Sequence, residues 1–239
     1  MSVILDNFSE KHIFTAYMAF RHARPCKTKL DMAGEKVILY IHGMGGGGDS
    51  RIPSILNEHL GEVVVRTYDF DPEIAGRQID GWVRELNPSL IIGESLGSLN
   101  AIRLKGFPHI LVSPSLNAPL YFGYLAFLAL IPGITPLLDW IYKPREGDRQ
   151  KLHFTFRTMR KYLPLRREAL LNSPRSGSRD CFFAFFGTRD HYRASGIVSV
   201  RTYRKYFGNS YSLYRGTHFM EEEFIISMLI PKIKEVLAL

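Results

Sequence analysis

Six short apolar runs punctuate the chain: Val37–His42, Val63–Asp69, Leu90–Gly93, His109–Ser113, Cys181–Phe186 and Ser210–Tyr214. Each is followed closely by a turn signal, such as Gly43, Asp71–Pro72, Pro114 or Gly216. Several are apolar at consecutive positions, the pattern of parallel strands covered on both faces. Between them lie stretches of helical periodicity: Arg51–Leu60, Glu73–Leu86, Leu96–Lys105, Ser195–Phe207 and Glu221–Leu237. Strand and helix alternate, which predicts an α/β fold built on a doubly wound, mostly parallel sheet. A further helix is expected over Ser9–Arg21, with Ser9 as its N-cap.

The span from Leu116 to Arg179 breaks the alternation, being too long for a simple crossover. It predicts a helical cap over residues 116–179, inserted into a core made of residues 1–115 and 180–239. From Ala118 to Leu138 it carries no charge, and Trp140, Tyr142 and Lys143 follow. That resembles a membrane span with an interfacial anchor. Pro119, Pro132 and Pro136 divide it into short helices instead. The second half is basic. Residues 143–179 hold 11 Lys or Arg against 3 Asp or Glu, which accounts for the whole formal charge of +8. The N-terminus shows no basic-then-apolar leader. Two cysteines make no disulfide framework, and Cys181 reads as a small buried hydrophobe in a reducing, cytoplasmic compartment.

The chemistry is signalled where strands end. Gly93-Glu94-Ser95-Leu96-Gly97 fits G-x-S-x-G between an apolar strand and a helix. A strand that turns sharply into a helix strains its corner residue, and glycines on both sides relieve the clash. Ser95 is therefore a candidate nucleophile, and the Leu96 amide, at the helix start, a candidate oxyanion donor. A serine nucleophile needs a base and an orienting acid. His218 follows the last strand and Asp190 the strand before it, the loops where an open α/β sheet gathers its site. His42 and His191 are weaker alternatives for the base, and Asp180 and Asp139 for the acid.

Tyr40-Ile41-His42-Gly43-Met44-Gly45-Gly46-Gly47-Gly48 admits two readings. Gly43, Gly45 and Gly48 fit a dinucleotide-binding G-x-G-x-x-G, with Asp69 and Asp71 near the ribose-binding distance. The other reading is a loop whose unobstructed amides stabilise an oxyanion. Only the second also uses Ser95, Asp190 and His218, and it is preferred.

On HGMGGGG (42–48), GESLGS (93–98), GTRD (187–190) and GTHF (216–219), the chain resembles the α/β-hydrolase fold superfamily, in particular small serine esterases and lipases. The resemblance covers about residues 36–239 and leaves the cap unmatched. It implies Ser95 as nucleophile, His218 as base, Asp190 as acid, and the Met44 and Leu96 amides as oxyanion hole. Gly43, Tyr121 and Phe122 are the expected substrate contacts, and Tyr124, Phe127 and Trp140 candidates to line an acyl pocket. Such folds often begin with an antiparallel hairpin, for which the N-terminus leaves little room. The superfamily also holds non-hydrolytic members. The expected activity is cofactor-free and metal-free hydrolysis of a small carboxylic ester or thioester. The alternatives are a nucleotide-binding oxidoreductase and a non-catalytic binding protein. The basic cap suits an anionic substrate or a membrane surface; nucleic acid fits it least.

Overall fold

The computed structural model describes residues 36–61, 63–144 and 146–239. The helix expected at Ser9–Arg21 lies outside them, as does Cys26. The six apolar runs form six strands: β1 (Ile38–Ile41), β2 (Val63–Val65), β3 (Leu90–Glu94), β4 (His109–Val112), β5 (Phe182–Gly187) and β6 (Tyr211–Tyr214). They make one sheet in the order β2-β1-β3-β4-β5-β6, and every neighbouring pair is parallel. The chain winds outward in both directions from the β1–β3 pair. That pair is the topological switch point, where an open α/β sheet leaves a crevice at its carboxyl edge.

Strand periodicity sorts the core into two layers. Leu39, Ile41, Ile91, Leu111 and Phe186 bury on one face, while Ile38, Tyr40, Ile92, Ile110 and Phe185 bury on the other. The first face is covered by α2 (Pro72–Leu86), α3 (Gly97–Arg103), α4 (Ala118–Leu128), α6 (Phe156–Leu171) and α7 (Val200–Phe207). The second is covered by α1 (Arg51–Leu60) and by α8 (Glu222–Phe224), which runs through the π-helical turn Ile225–Leu229 into α9 (Ile230–Leu237). Full burial of a branched aliphatic side chain contributes about 1.5–3 kcal/mol, so both faces stabilise the sheet strongly.

Between β4 and β5 the chain forms α4, α5 (Ile134–Ile141) and α6. The uncharged run is broken at Gly133, whose φ is +88°. Among the described residues, no helix is long and apolar enough to cross a membrane. Helix α6 does not stand apart from the sheet: Met159, Tyr162, Leu165, Ala169 and Leu170 bury in the same cluster as α3. Helix α5 buries no residue at all. Cys181 is half-buried, not the fully buried small hydrophobe expected.

Candidate active site

Strand β3 delivers Ser95 to the corner before α3. Ser95 has φ +48°, a left-handed conformation that costs a non-glycine residue about 1–3 kcal/mol. Surrounding bonds hold it there. Its N–H donates to the Val112 carbonyl at 2.9 Å, and its carbonyl accepts from the Ser115 N–H at 3.1 Å. The flanking glycines are required by packing. A Cβ on Gly97 would lie 2.1 Å from the His42 carbonyl oxygen, and one on Gly93 would lie 2.7 Å from Ala101 Cβ. The turn can be this sharp only where strand and helix backbones touch.

The structure brings Ser95, His218 and Asp190 together. Ser95 Oγ lies 2.8 Å from His218 Nε2, and His218 Nδ1 lies 2.8 Å from Asp190 Oδ2. His218 and Asp190 are both buried. With Nδ1–H donating to the carboxylate, the Nε2 lone pair faces the serine hydroxyl, an arrangement able to take its proton. The supporting loops lock onto each other. The Thr188 and Arg189 amides donate to the Tyr214 and Gly216 carbonyls, and a Cβ on Gly187 would lie 2.3 Å from the Thr217 carbonyl oxygen. Asp190 Oδ1 accepts from the Tyr192 N–H at 2.8 Å, which fixes the carboxylate. The Tyr192 and Phe219 rings stand edge-on to the imidazole, at 4.7 and 5.2 Å between centroids.

Ser115, which sequence reasoning missed, places its Oγ 3.1 Å from Ser95 Oγ. It sits two residues after the sharp turn at Ser113 and is buried. No motif marks it. Only the parallel register of β3 and β4, with Glu94 opposite Val112, carries both serines to one edge.

The glycine loop separates its two readings. The Gly45 N–H donates to Gln150 Oε1, Gly46 to the Gly43 carbonyl, Gly47 to Ser50 Oγ and Gly48 to Thr67 Oγ1. A phosphate cradle needs several free amides; here four are spent on the protein itself. Asp71 caps α2 and pairs with Lys161 Nζ at 2.6 Å, so it does not await a ribose. The Met44 and Leu96 amides meet no acceptor among the described residues, and both residues line a cavity of about 530 Å³ beside Ser95.

His42 is a structural residue. Its Nδ1–H donates to the Gly43 carbonyl at 2.7 Å, and its ring stacks on Tyr68 at 4.2 Å. Burial lowers its pKa to about 4, which keeps it neutral. His191 is exposed. Asp180 bonds the Gly106 amide, and Asp139 pairs with His153. Of the expected substrate contacts, Gly43 and Phe122 line the cavity and Tyr121 does not. Adjacent helical positions point about 100° apart, so Phe122 faces inward while the Tyr121 hydroxyl donates to the Ser195 carbonyl. Tyr124, Phe127 and Trp140, expected at the acyl pocket, are exposed instead.

No protein-family model matches the chain, and no curated protein does. Solved structures match it in fold. A monoacylglycerol lipase of Paleococcus ferrophilus is 16 % identical, with a TM-score of 0.56 over 84 % of this chain and 93 % of that one. Est1E of Butyrivibrio proteoclasticus, with ferulic acid bound, is 16 % identical, with a TM-score of 0.55 over 91 % and 94 %. A tomato methylketone synthase I variant, complexed with beta-ketoheptanoate, is 11 % identical, with a TM-score of 0.57 over 84 % and 99 %.

Proposed function

From the α/β-hydrolase fold that this chain has, we propose that it is a serine hydrolase of carboxylic esters or thioesters, acting through an acyl-enzyme. The observation that carries the reading is the continuous chain of hydrogen bonds Ser95–His218–Asp190, with 2.8 Å at each step. In this reading Ser95 Oγ attacks the carbonyl carbon while His218 Nε2 takes its proton. Asp190 holds the imidazole in the required tautomer and stabilises the imidazolium. The Met44 and Leu96 amides donate to the oxyanion as it develops. His218 returns the proton to the departing alcohol or thiol. Water, deprotonated by the same imidazole, then releases the acid and restores Ser95.

The cavity suits an apolar acyl group, with Met44, Ile52, Phe122 and Ile197 on its walls. Of the two arginines at its edge, Arg149 pairs with Asp49 at 2.6 Å, and Arg51 donates to the Phe219 and Met220 carbonyls. The apolar walls favour an uncharged acyl chain. The monoacylglycerol lipase among the fold neighbours accords with an ester substrate. Helices α4 and α5 are the proposed lid of the insertion at 116–179. Phe122 of α4 reaches the cavity, and α6 anchors the insertion to the core.

A fluorophosphonate probe tests the reading. Wild type is expected to form one adduct on Ser95, located by mass spectrometry. Ser95→Ala should form none, and its ester hydrolysis should fall by about a thousandfold or more. A folded wild-type protein that stays unlabelled would sink the mechanism.

A further inference from the structure

Helix α4 has two faces with different neighbours. Ala118 and Phe122 line the cavity beside Ser95. Tyr124, Phe127 and Leu128 on the same helix point to solvent, with Tyr124 79 % exposed. The exposure continues through Leu130 and Ile131 into α5, where Trp140 is 74 % exposed. Of the eighteen exposed large apolar side chains among the described residues, twelve lie between positions 120 and 142. Scattered apolar residues on a surface need no explanation; a concentration of this kind does. These side chains form one region. The Phe127 ring packs edge-on to Phe156 of α6 at 5.6 Å, and Tyr142 packs on Phe154 at 5.3 Å.

Cations rim the region. Lys143, Lys151, Arg157 and Arg160 are exposed, and among the described residues none meets a carboxylate. The Arg160 guanidinium lies over the Phe127 ring, 5.8 Å from its centroid, so charge and apolar surface are contiguous. Of the acids at positions 118–161, Asp139 pairs with His153 and Asp148 bonds Thr67; exposed Glu146 meets no partner among the described residues.

We propose that α4, α5 and the start of α6 dock on a bilayer surface carrying anionic headgroups. Aliphatic and aromatic side chains would enter the headgroup boundary, and the rim cations would meet the lipid phosphates. Trp140, Tyr142 and Tyr124 are amphipathic rings of the kind that settle at that boundary. No described helix can span a membrane, so the contact lies along the surface. The charge complementarity selects this occupant, because the rim carries four exposed cations, Lys143, Lys151, Arg157 and Arg160, that meet no carboxylate among the described residues. The same docking places the inner face of α4 between the lipid and the cavity. The acyl ester would then be a lipid drawn from that surface, an extension that rests on the hydrolase reading. The docking itself does not.

The chain carries a built-in reporter. Its two tryptophans are Trp82 and Trp140, and Trp82→Phe in the full chain leaves Trp140 as sole emitter. Vesicles of phosphatidylcholine with added phosphatidylglycerol should shift Trp140 emission to the blue and co-sediment the protein, and added salt should weaken both. Binding should fall about tenfold or more in Leu130→Asp/Ile131→Asp, and likewise in Lys143→Glu/Arg157→Glu. Ser95→Ala should bind like wild type, so a failed hydrolase reading and a failed docking reading stay distinguishable. No shift and no sedimentation with anionic vesicles would overturn the proposal. So would a Trp140 already shielded from acrylamide without lipid. In that case a dimer mass would assign the face to a second copy, and a monomer mass to another segment of this chain.

Discussion

Ser95 is held between two partners. On one side His218 Nε2 is positioned to accept its proton; on the other Ser115 Oγ lies within hydrogen-bonding distance. If the Ser115 hydroxyl donates to Ser95 Oγ, it stabilises the negative charge that grows there as the proton leaves. A neutral hydrogen bond of this kind is worth about 1 kcal/mol, so Ser115→Ala should lower kcat/KM about fivefold. The variant should still take the fluorophosphonate label on Ser95, because the base and its orienting acid are untouched. An unchanged kcat/KM would reduce Ser115 to a wall of the cavity. The contrast between these two serines shows what a sequence displays of a site. Ser95, Asp190 and His218 each follow an apolar strand, where both steric need and topology point to chemistry. Ser115 occupies the same edge without glycines around it, and it becomes visible only once β4 is laid beside β3. Tyr121 and Phe122 pose the same problem on a helix. Their neighbours in sequence are equally apolar, and only the packing of α4 on α6 decides which ring faces the cavity.

At the level of the elements, all six strands and the helices between them were legible, because burial on both sheet faces leaves unbroken apolar runs and amphipathic helices around them. The 116–179 insertion was less so. Helix α4 is apolar all round and α5 nearly so, and a helix without a polar face does not announce which side it buries. The glycine run was half legible: its softness suggested free amides, but packing accounts for most of it. A Cβ on Gly47 would sit 1.7 Å from the Asp148 carbonyl oxygen, where the chain forms an antiparallel bridge between Gly47 and Arg149. Gly47→Ala must push that strand of loop away, and with it the Gln150 amide that bonds Gly46 at 2.7 Å. Destabilisation of about 1–3 kcal/mol is expected, a fall in Tm of several degrees. Gly76, in the middle of α2, is the matched contrast. The nearest atom to its Cβ would be Arg103 Nη2 at 3.7 Å, an ordinary contact. Gly76→Ala should therefore raise stability by about 0.5–1 kcal/mol through helix propensity and a less disordered unfolded chain. Opposite signs in thermal melts of the two variants would tie the glycine loop to the 148–150 segment; a harmless Gly47→Ala would break that link.

At the scale of the whole molecule, two buried histidines among the described residues, both outside the Ser95–His218–Asp190 chain, contribute to the response to acid. His42 lies under the glycine loop, and His109 opens β4 with its ring stacked on Phe182 at 4.5 Å. His42 Nε2 has no hydrogen-bond partner among the described residues, and His109 is fully enclosed beside Phe182. Burial lowers the pKa of each to about 4, from an ordinary value of 6.5. Between those two values the unfolded chain accepts protons that the folded chain refuses. Stability from this source is complete above pH 6.5 and is lost as the pH falls toward 4. Each unit is worth about 1.4 kcal/mol, so the loss approaches about 3 kcal/mol per histidine. Near pH 5 these two histidines should contribute about two protons to the slope of unfolding free energy. Urea unfolding at pH 7.5, 6 and 5 measures it directly. His109→Phe keeps the aromatic stack and removes one of the two groups, so its slope should drop by about one proton. An unaltered slope would mean that His109 is not excluded from protonation in the folded state. The same series separates two causes of inactivity in acid. If fluorophosphonate labelling of Ser95 declines in step with the folded fraction, and His109→Phe moves both together, the loss reflects unfolding of the sheet and not titration of the site.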